Sequence, residues 1–205
     1  INDGEEFERH RRNGEWRDNT TKSTRYSGYA VALDEKNEYS EDDTLRILDV
    51  GSSDGRAIDF LQGLFQEKYG LDTEVVACDI NYDALEEARE NERADHQIQA
   101  AVDYNPEEDR HLPFQDGAFD MVVSKTLLSR LPPEYQSQGL REIERVVSED
   151  GVAGIEIEPE GMDKKGGFDY AFTGEELSQL KKQTEGFEDY DGMKDLLEPN
   201  RAVNL

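Results

Sequence analysis

Leu45-Arg46-Ile47-Leu48-Asp49-Val50-Gly51-Ser52-Ser53-Asp54-Gly55 opens as a buried strand on Leu45, Ile47, Leu48 and Val50 and closes as a glycine-bearing turn. Arg56 to Tyr69 follows, with Ile58, Leu61, Leu64 and Phe65 spaced to share one helical face. A strand, a glycine turn and a helix form the unit with which an open α/β sheet meets ligands, because its crevice lies beyond the carboxyl ends of the strands. The turn is therefore the expected ligand site, and the spacing of its residues limits the ligand. A dinucleotide fingerprint laid on Gly51 needs glycine at 53 and glycine or alanine at 56, and meets Ser53 and Arg56. A phosphate loop needs Gly-Lys-Ser/Thr where the chain has Arg56-Ala57-Ile58. Taken alone, the stretch is equally compatible with an ordinary βα connection.

Asp49-Val50-Gly51-Ser52-Ser53-Asp54-Gly55 resembles the first motif of class I S-adenosylmethionine-dependent methyltransferases, acidic-x-Gly-x-Gly-x-Gly, with Ser53 in place of the middle glycine. Two later segments carry the same resemblance. Leu112-Pro113-Phe114-Gln115-Asp116-Gly117-Ala118-Phe119-Asp120-Met121-Val122-Val123-Ser124 is similar to the family's L-P-F-x-D-x-x-F-D-x-V-x-S segment. The run from Leu140 to Ile155 is similar to its helix-turn-strand L-x-E-x-x-R-V-L-x-P-G-G, with Glu149 for Pro and Asp150 for Gly. The resemblance spans about Leu45 to Glu188. It implies a Rossmann-like, doubly wound, mostly parallel seven-stranded sheet with helices on both faces and an antiparallel last strand.

Between these segments, Thr73 to Cys78 reads as the second strand, ending in Asp79, a carboxylate able to accept from both hydroxyls of a ribose. NAD sites use the same device, so Asp79 alone does not separate the two cofactors. Asp83 is expected to cap a helix from Ala84 to Arg93, and Gln97 to Val102 to form a third strand. Phe119 to Val123 reads as the fourth strand, Glu134 to Val147 as a helix, Glu149-Asp150-Gly151 as a turn and Val152 to Ile157 as the fifth strand. A sixth is expected at Gly186 to Tyr190 and the start of a seventh at Arg201 to Leu205.

The resemblance assigns S-adenosylmethionine, with S-adenosylhomocysteine as product, to Asp49, Gly51, Ser52, Ser53, Gly55, Asp79, Ile80, Asp103, Tyr104 and Ser124. Asp79 would hold the ribose, Ile80 would pack on the adenine face, and Asp103 and Tyr104 would meet its edge. Lys125, Thr126, Arg130 and Glu158 are candidates on the acceptor side, each equally readable as a surface or capping residue. His111 could reach the crevice but reads more simply as a loop residue. Methyl transfer from a sulfonium needs no obligatory base, and no His base is evident. The Asn/Asp-Pro-Pro-aromatic tetrad of many base-methylating enzymes is missing at Ser124-Lys125-Thr126, so adenine or cytosine methylation is not expected.

Composition narrows the setting. The 205 residues suit one α/β domain. Against 23 Lys and Arg stand 49 Asp and Glu, a net charge of −26, which reads as adaptation to salt and argues against nucleic acid as a partner. Cys78 is the single cysteine, which excludes an internal disulfide and fits a reducing cytoplasm. The three histidines lack ligand spacing, so no metal is expected. No apolar run nears the roughly 20 residues of a membrane span. Residues 1–40 form a polar arm, readable as a solvated helix or as a lid with Trp16, Tyr26 and Tyr29. Residues 41–205 form the expected cofactor-binding domain. Opening on Ile1 points to a trimmed start, and ending within the last expected strand points to a truncated finish. The leading expectation is transfer of a methyl group to a small molecule. A non-catalytic or regulatory S-adenosylmethionine-binding subunit and an NAD(P)-dependent oxidoreductase stand as alternatives.

Overall fold

The computed structural model describes residues 39, 43–100, 112–125 and 127–156. In chain order these form β1 (Thr44–Val50), α1 (Arg56–Tyr69), β2 (Asp72–Asp79), α2 (Tyr82–Glu90), β3 (His96–Gln99), β4 (Phe119–Lys125), a 3-10 turn (Leu128–Arg130), α3 (Pro133–Val146) and β5 (Val147–Glu156). The strand order is β3-β2-β1-β4-β5, and every pairing is parallel. The order reverses between β1 and β4, which makes their carboxyl ends the topological switch point of the sheet.

Period-2 alternation decides which helix covers which face. Leu45, Ile47, Val75, Ala77, Met121 and Val123 pack with Ile58, Leu61 and Phe65 of α1 and Leu85 of α2. Leu48, Val50, Val76, Cys78 and Val122 pack with Leu140, Ile143 and Val146 of α3. Both faces of the sheet are thus apolar and covered, as a parallel sheet requires. Five strands lie among the described residues. The expected sixth and seventh strands, and all of 1–40 except Tyr39, lie outside them.

Two acidic side chains complete ladders where strands begin. The Arg46 N–H donates to Asp120 Oδ2 at 2.9 Å, just before the β1–β4 register opens at Ile47 and Met121. The Val75 N–H donates to Asp95 Oδ2 at 2.7 Å, just before the β2–β3 register opens at Val76 and His96. Each gives a backbone N–H a partner just outside the strand ladder.

The two later sequence motifs meet as one clasp. Glu142, a buried residue of α3, accepts from the Leu112 N–H at 2.9 Å and pairs with Arg145, both contacts at 2.8 Å. Arg145 then donates to the carbonyls of Phe114 and Leu112 at 2.8 and 3.1 Å and to Asp116 Oδ1 at 2.9 Å. The planar guanidinium has donors enough for all of these at once. Its pKa is raised, chiefly by the hydrogen bond to Glu142. The family-like L-P-F-x-D and E-x-x-R signatures are therefore a structural lock on the approach to β4.

Local boundaries differ from expectation in three places. Asn81, not Asp83, caps α2: its side chain accepts from the N–H groups of Asp83 and Ala84, and the helix stops at Glu90, short of Arg93. Asn and Asp cap almost equally well, so two candidates two residues apart were close competitors. The short third strand is His96–Gln99 rather than Gln97 to Val102. Glu149-Asp150-Gly151 lies inside β5, because Phe119 pairs with Val147 but Met121 with Val152, and the surplus residues form a bulge.

Candidate functional site

The carboxyl ends of β1, β2 and β4 bring together the residues on which the site rests. Asp49 lies across from Ala77 and Val123, so Asp79 and Lys125 stand two residues beyond its partners on the same face. The electrostatics agree with this placement. The Asp49 carboxyl is pushed up from 3.8 to about 7, first by burial and then by the neighbouring Asp79, with Lys125 acting in the opposite direction. Cys78 is pushed up to about 12, first by burial and then by Asp79 and Asp49, which leaves it an inert thiol.

The turn after β1 is held in the left-handed region at Gly51 (φ 78°), Ser53 (φ 51°) and Gly55 (φ 74°). At Gly51 a Cβ would come within 3.3 Å of Leu127 Cβ, and at Gly55 within 3.2 Å of Arg93 Cβ. Ser53 adopts the glycine-like conformation despite its side chain, which costs about 1–2 kcal/mol for an L-residue.

Accounting for the turn's N–H groups shows what it can bind. Those of Gly51 and Ser52 both donate to the Cys78 carbonyl, at 2.8 and 3.1 Å, and that of Gly55 donates to the Ser52 carbonyl at 3.0 Å. The Ser53 N–H donates to Asp79 Oδ2 at 2.8 Å. A phosphate cradle needs such donors turned outward, and these four are turned into the protein. The orphaned groups are side-chain oxygens. Asp49 Oδ2, Ser52 Oγ and Ser124 Oγ are buried and find no hydrogen-bond partner among the described residues. Buried polar atoms are rarely left so, and these sit at the switch point. A buried carboxylate oxygen and two hydroxyls suit a cationic polar ligand better than a pyrophosphate.

Asp79 bridges the turn to the tip of β2, with its second oxygen accepting from the Asn81 N–H at 2.8 Å. Each carboxylate oxygen has further acceptor capacity, so a diol can still be bound there. Ile80 is the most exposed large apolar side chain among the described residues, at 60%, and adjoins this carboxylate. Ser124 lies at the tip of β4 on the opposite side chain alternation from Lys125. Arg130 belongs to the 3-10 turn beyond. Asp103, Tyr104, His111, Thr126 and Glu158 lie outside the described residues.

Sequence reasoning missed the brace behind the turn. Asp54, buried, holds Arg56 Nε at 2.7 Å and Arg93 Nη1 at 3.4 Å, and Glu87 lies 3.6 Å from Arg56. The available signal was Arg56 itself, a charge where the dinucleotide fingerprint wants a small residue. Arg93, well separated in sequence, gave none. Leu127, packed over Gly51, likewise carries no motif.

The model for a family described as "Methyltransferase domain" matches residues 47–151. None of the curated proteins matches. Among solved structures, a SAM-dependent methyltransferase from Aquifex aeolicus shares 19% identity and a TM-score of 0.51, covering 78% of this chain and 79% of that one. A TehB-like SAM-dependent methyltransferase from Corynebacterium glutamicum shares 21% identity and a TM-score of 0.51, covering 76% and 71%. At these identities the two structures speak for the fold.

Proposed function

Because the chain belongs to the methyltransferase domain family, we propose that it transfers a methyl group from S-adenosylmethionine to a small-molecule acceptor, with the cofactor held at the turn after β1. The observation that supports this reading is the set of buried side-chain oxygens without a partner among the described residues, Asp49 Oδ2, Ser52 Oγ and Ser124 Oγ, beside a turn in which the N–H groups of Gly51, Ser52, Ser53 and Gly55 face inward. A cofactor with a sulfonium and an ammonium group suits such a place, and a pyrophosphate does not.

When bound, S-adenosylmethionine supplies an electrophilic methyl on a good leaving group, which leaves the protein to orient the acceptor and exclude water. Asp79 would grip the ribose diol through its remaining lone pairs, and Ile80 would cover one adenine face. Asp49 would face the positive end of the cofactor in its ionised form. Ser52 and Ser124 would supply hydroxyls to the same end. Asp103 and Tyr104 would meet the adenine edge, while Lys125, Thr126 and Glu158 would stand on the acceptor side. The high acidic charge supports a salt-adapted protein, and the lone, inert Cys78 supports a reducing cytoplasm.

Equilibrium binding of radiolabelled S-adenosylmethionine at molar salt, run against NADH, tests the cofactor. Retention of the former, reduced about tenfold or more in Asp79→Ala, is expected, since a charge-assisted hydrogen bond contributes about 1.5–3 kcal/mol. Retention of NADH instead would overturn the reading. Mass spectrometry of a metabolite extract incubated with enzyme and cofactor should show a small molecule gaining one methyl. Label entering only protein or nucleic acid would refute the acceptor class.

A further inference from the structure

We propose that Arg93 is a positioning residue for cofactor binding, bracing the turn after β1 from behind so that its left-handed shape and the Asp79 carboxylate are set before the ligand arrives. The inference rests on the cofactor site proposed above. Three residues within the turn hold positive φ, and one of them is Ser53, so local preference does not favour this shape. Something outside the turn must hold it.

The turn is gripped from two sides. In front, the Ser53 N–H donates to Asp79 Oδ2 at 2.8 Å. Behind, Arg93 Nη1 donates to the carbonyl of the next residue, Asp54, at 2.8 Å. The same nitrogen lies 3.4 Å from the buried Asp54 carboxylate. One guanidinium thus holds both the main chain and the side chain of Asp54, and the N–H of Ser53, the residue before it, holds Asp79.

Arg93 is itself well anchored. Its side chain is 17% exposed, it lies 4.0 Å from Glu87, and its N–H donates to the Ala88 carbonyl at 3.0 Å. Its Cβ lies 3.2 Å from where a Cβ on Gly55 would fall, so the glycine lets turn and strut approach closely. A pre-set turn reduces the ordering cost of binding, which is where a positioning residue acts. Asp79 itself never touches Arg93 on this account. The effect passes along the main chain, from the 54–55 peptide held by Arg93 to the 52–53 peptide that holds Asp79.

The test is calorimetric titration of the full chain with S-adenosylhomocysteine, for wild type, Arg93→Met, Arg93→Lys and Asp54→Asn, together with hydrogen exchange at residues 51–55. Arg93→Met should weaken binding about tenfold and speed exchange at Ser53. Arg93→Lys, with charge but no fork, should recover part of the affinity. Asp54→Asn keeps the carbonyl contact and should cost less than Arg93→Met. In turnover assays the cofactor KM should rise while kcat at saturation stays within about twofold, a split that simple loss of folded protein would not produce. Should Arg93→Met fail to fold, Arg93→Lys decides, and unchanged affinity there overturns the proposal. Wild-type binding with an unaltered Kd in a folded Arg93→Met refutes the strut alone. No binding by wild type refutes the site and the strut together.

Discussion

Asp49 ties protonation to both stability and ligand. Its folded pKa of about 7 lies above the ordinary 3.8, so between those values the folded chain holds a proton that the unfolded chain has released. Its contribution is fully present below pH 3.8 and is lost as pH rises through about 7, a decline of roughly 4 kcal/mol across the window. Asp49→Asn should therefore be about 2–4 kcal/mol more stable than wild type at pH 8 and nearly equal at pH 4, measured by urea denaturation. A cationic ligand needs the ionised form, so affinity for S-adenosylmethionine should fall about tenfold per pH unit below 7 in wild type and stay flat in Asp49→Asn. Flat binding in both would remove Asp49 from the site. At Ser53, replacement by glycine trades about 1–2 kcal/mol of left-handed strain against about 0.5–1 kcal/mol of backbone entropy, so Ser53→Gly should match or slightly exceed wild-type stability. The positions of Asp49 and Gly51 at the tip of β1 and of Asp79 at the tip of β2 were legible because an apolar strand pattern ends at each. Arg93 was not, since nothing local marks a side chain whose partner lies across α2.

At the scale of elements, the central strands and the helices on both faces followed from apolar periodicity, and the structure moves their ends by only a few residues. What periodicity could not show is how Glu142 and Arg145 fasten the segment before β4. Removing the carboxylate in Glu142→Ala strands Arg145 and the Leu112 N–H, and should cost about 3–5 kcal/mol in denaturant unfolding. Arg145→Met should cost a similar amount, and the double variant distinctly less than the sum of the two. The β5 bulge was missed because Glu149-Asp150-Gly151 has the composition of a turn, and composition does not reveal whether the ladder resumes on both sides. There Gly151 has no room for a methyl: a Cβ would fall 2.8 Å from the Asp120 carbonyl oxygen and 2.7 Å from Ser148 Oγ. Gly151→Ala should destabilise by about 1–3 kcal/mol in the same assay.

For the molecule as a whole, a net charge of −26 sets the conditions under which all of this holds together. Raising ionic strength from 0.1 M to 1 M shortens the Debye length from about 10 to about 3 Å and silences most surface repulsion. The melting temperature should rise by several degrees over that range, since each kcal/mol moves it about 2–4 °C at this size. A flat or falling Tm would contradict the salt-adapted reading. The Glu142–Arg145 clasp grips the amino-terminal approach to β4, whereas Ser124 and Lys125 sit at that strand's other tip. Anchorage and the proposed site thus occupy opposite rims of one sheet. A Glu142→Ala variant that still folds should therefore keep its grip on S-adenosylmethionine, because the damage falls on the rim remote from the proposed cofactor turn.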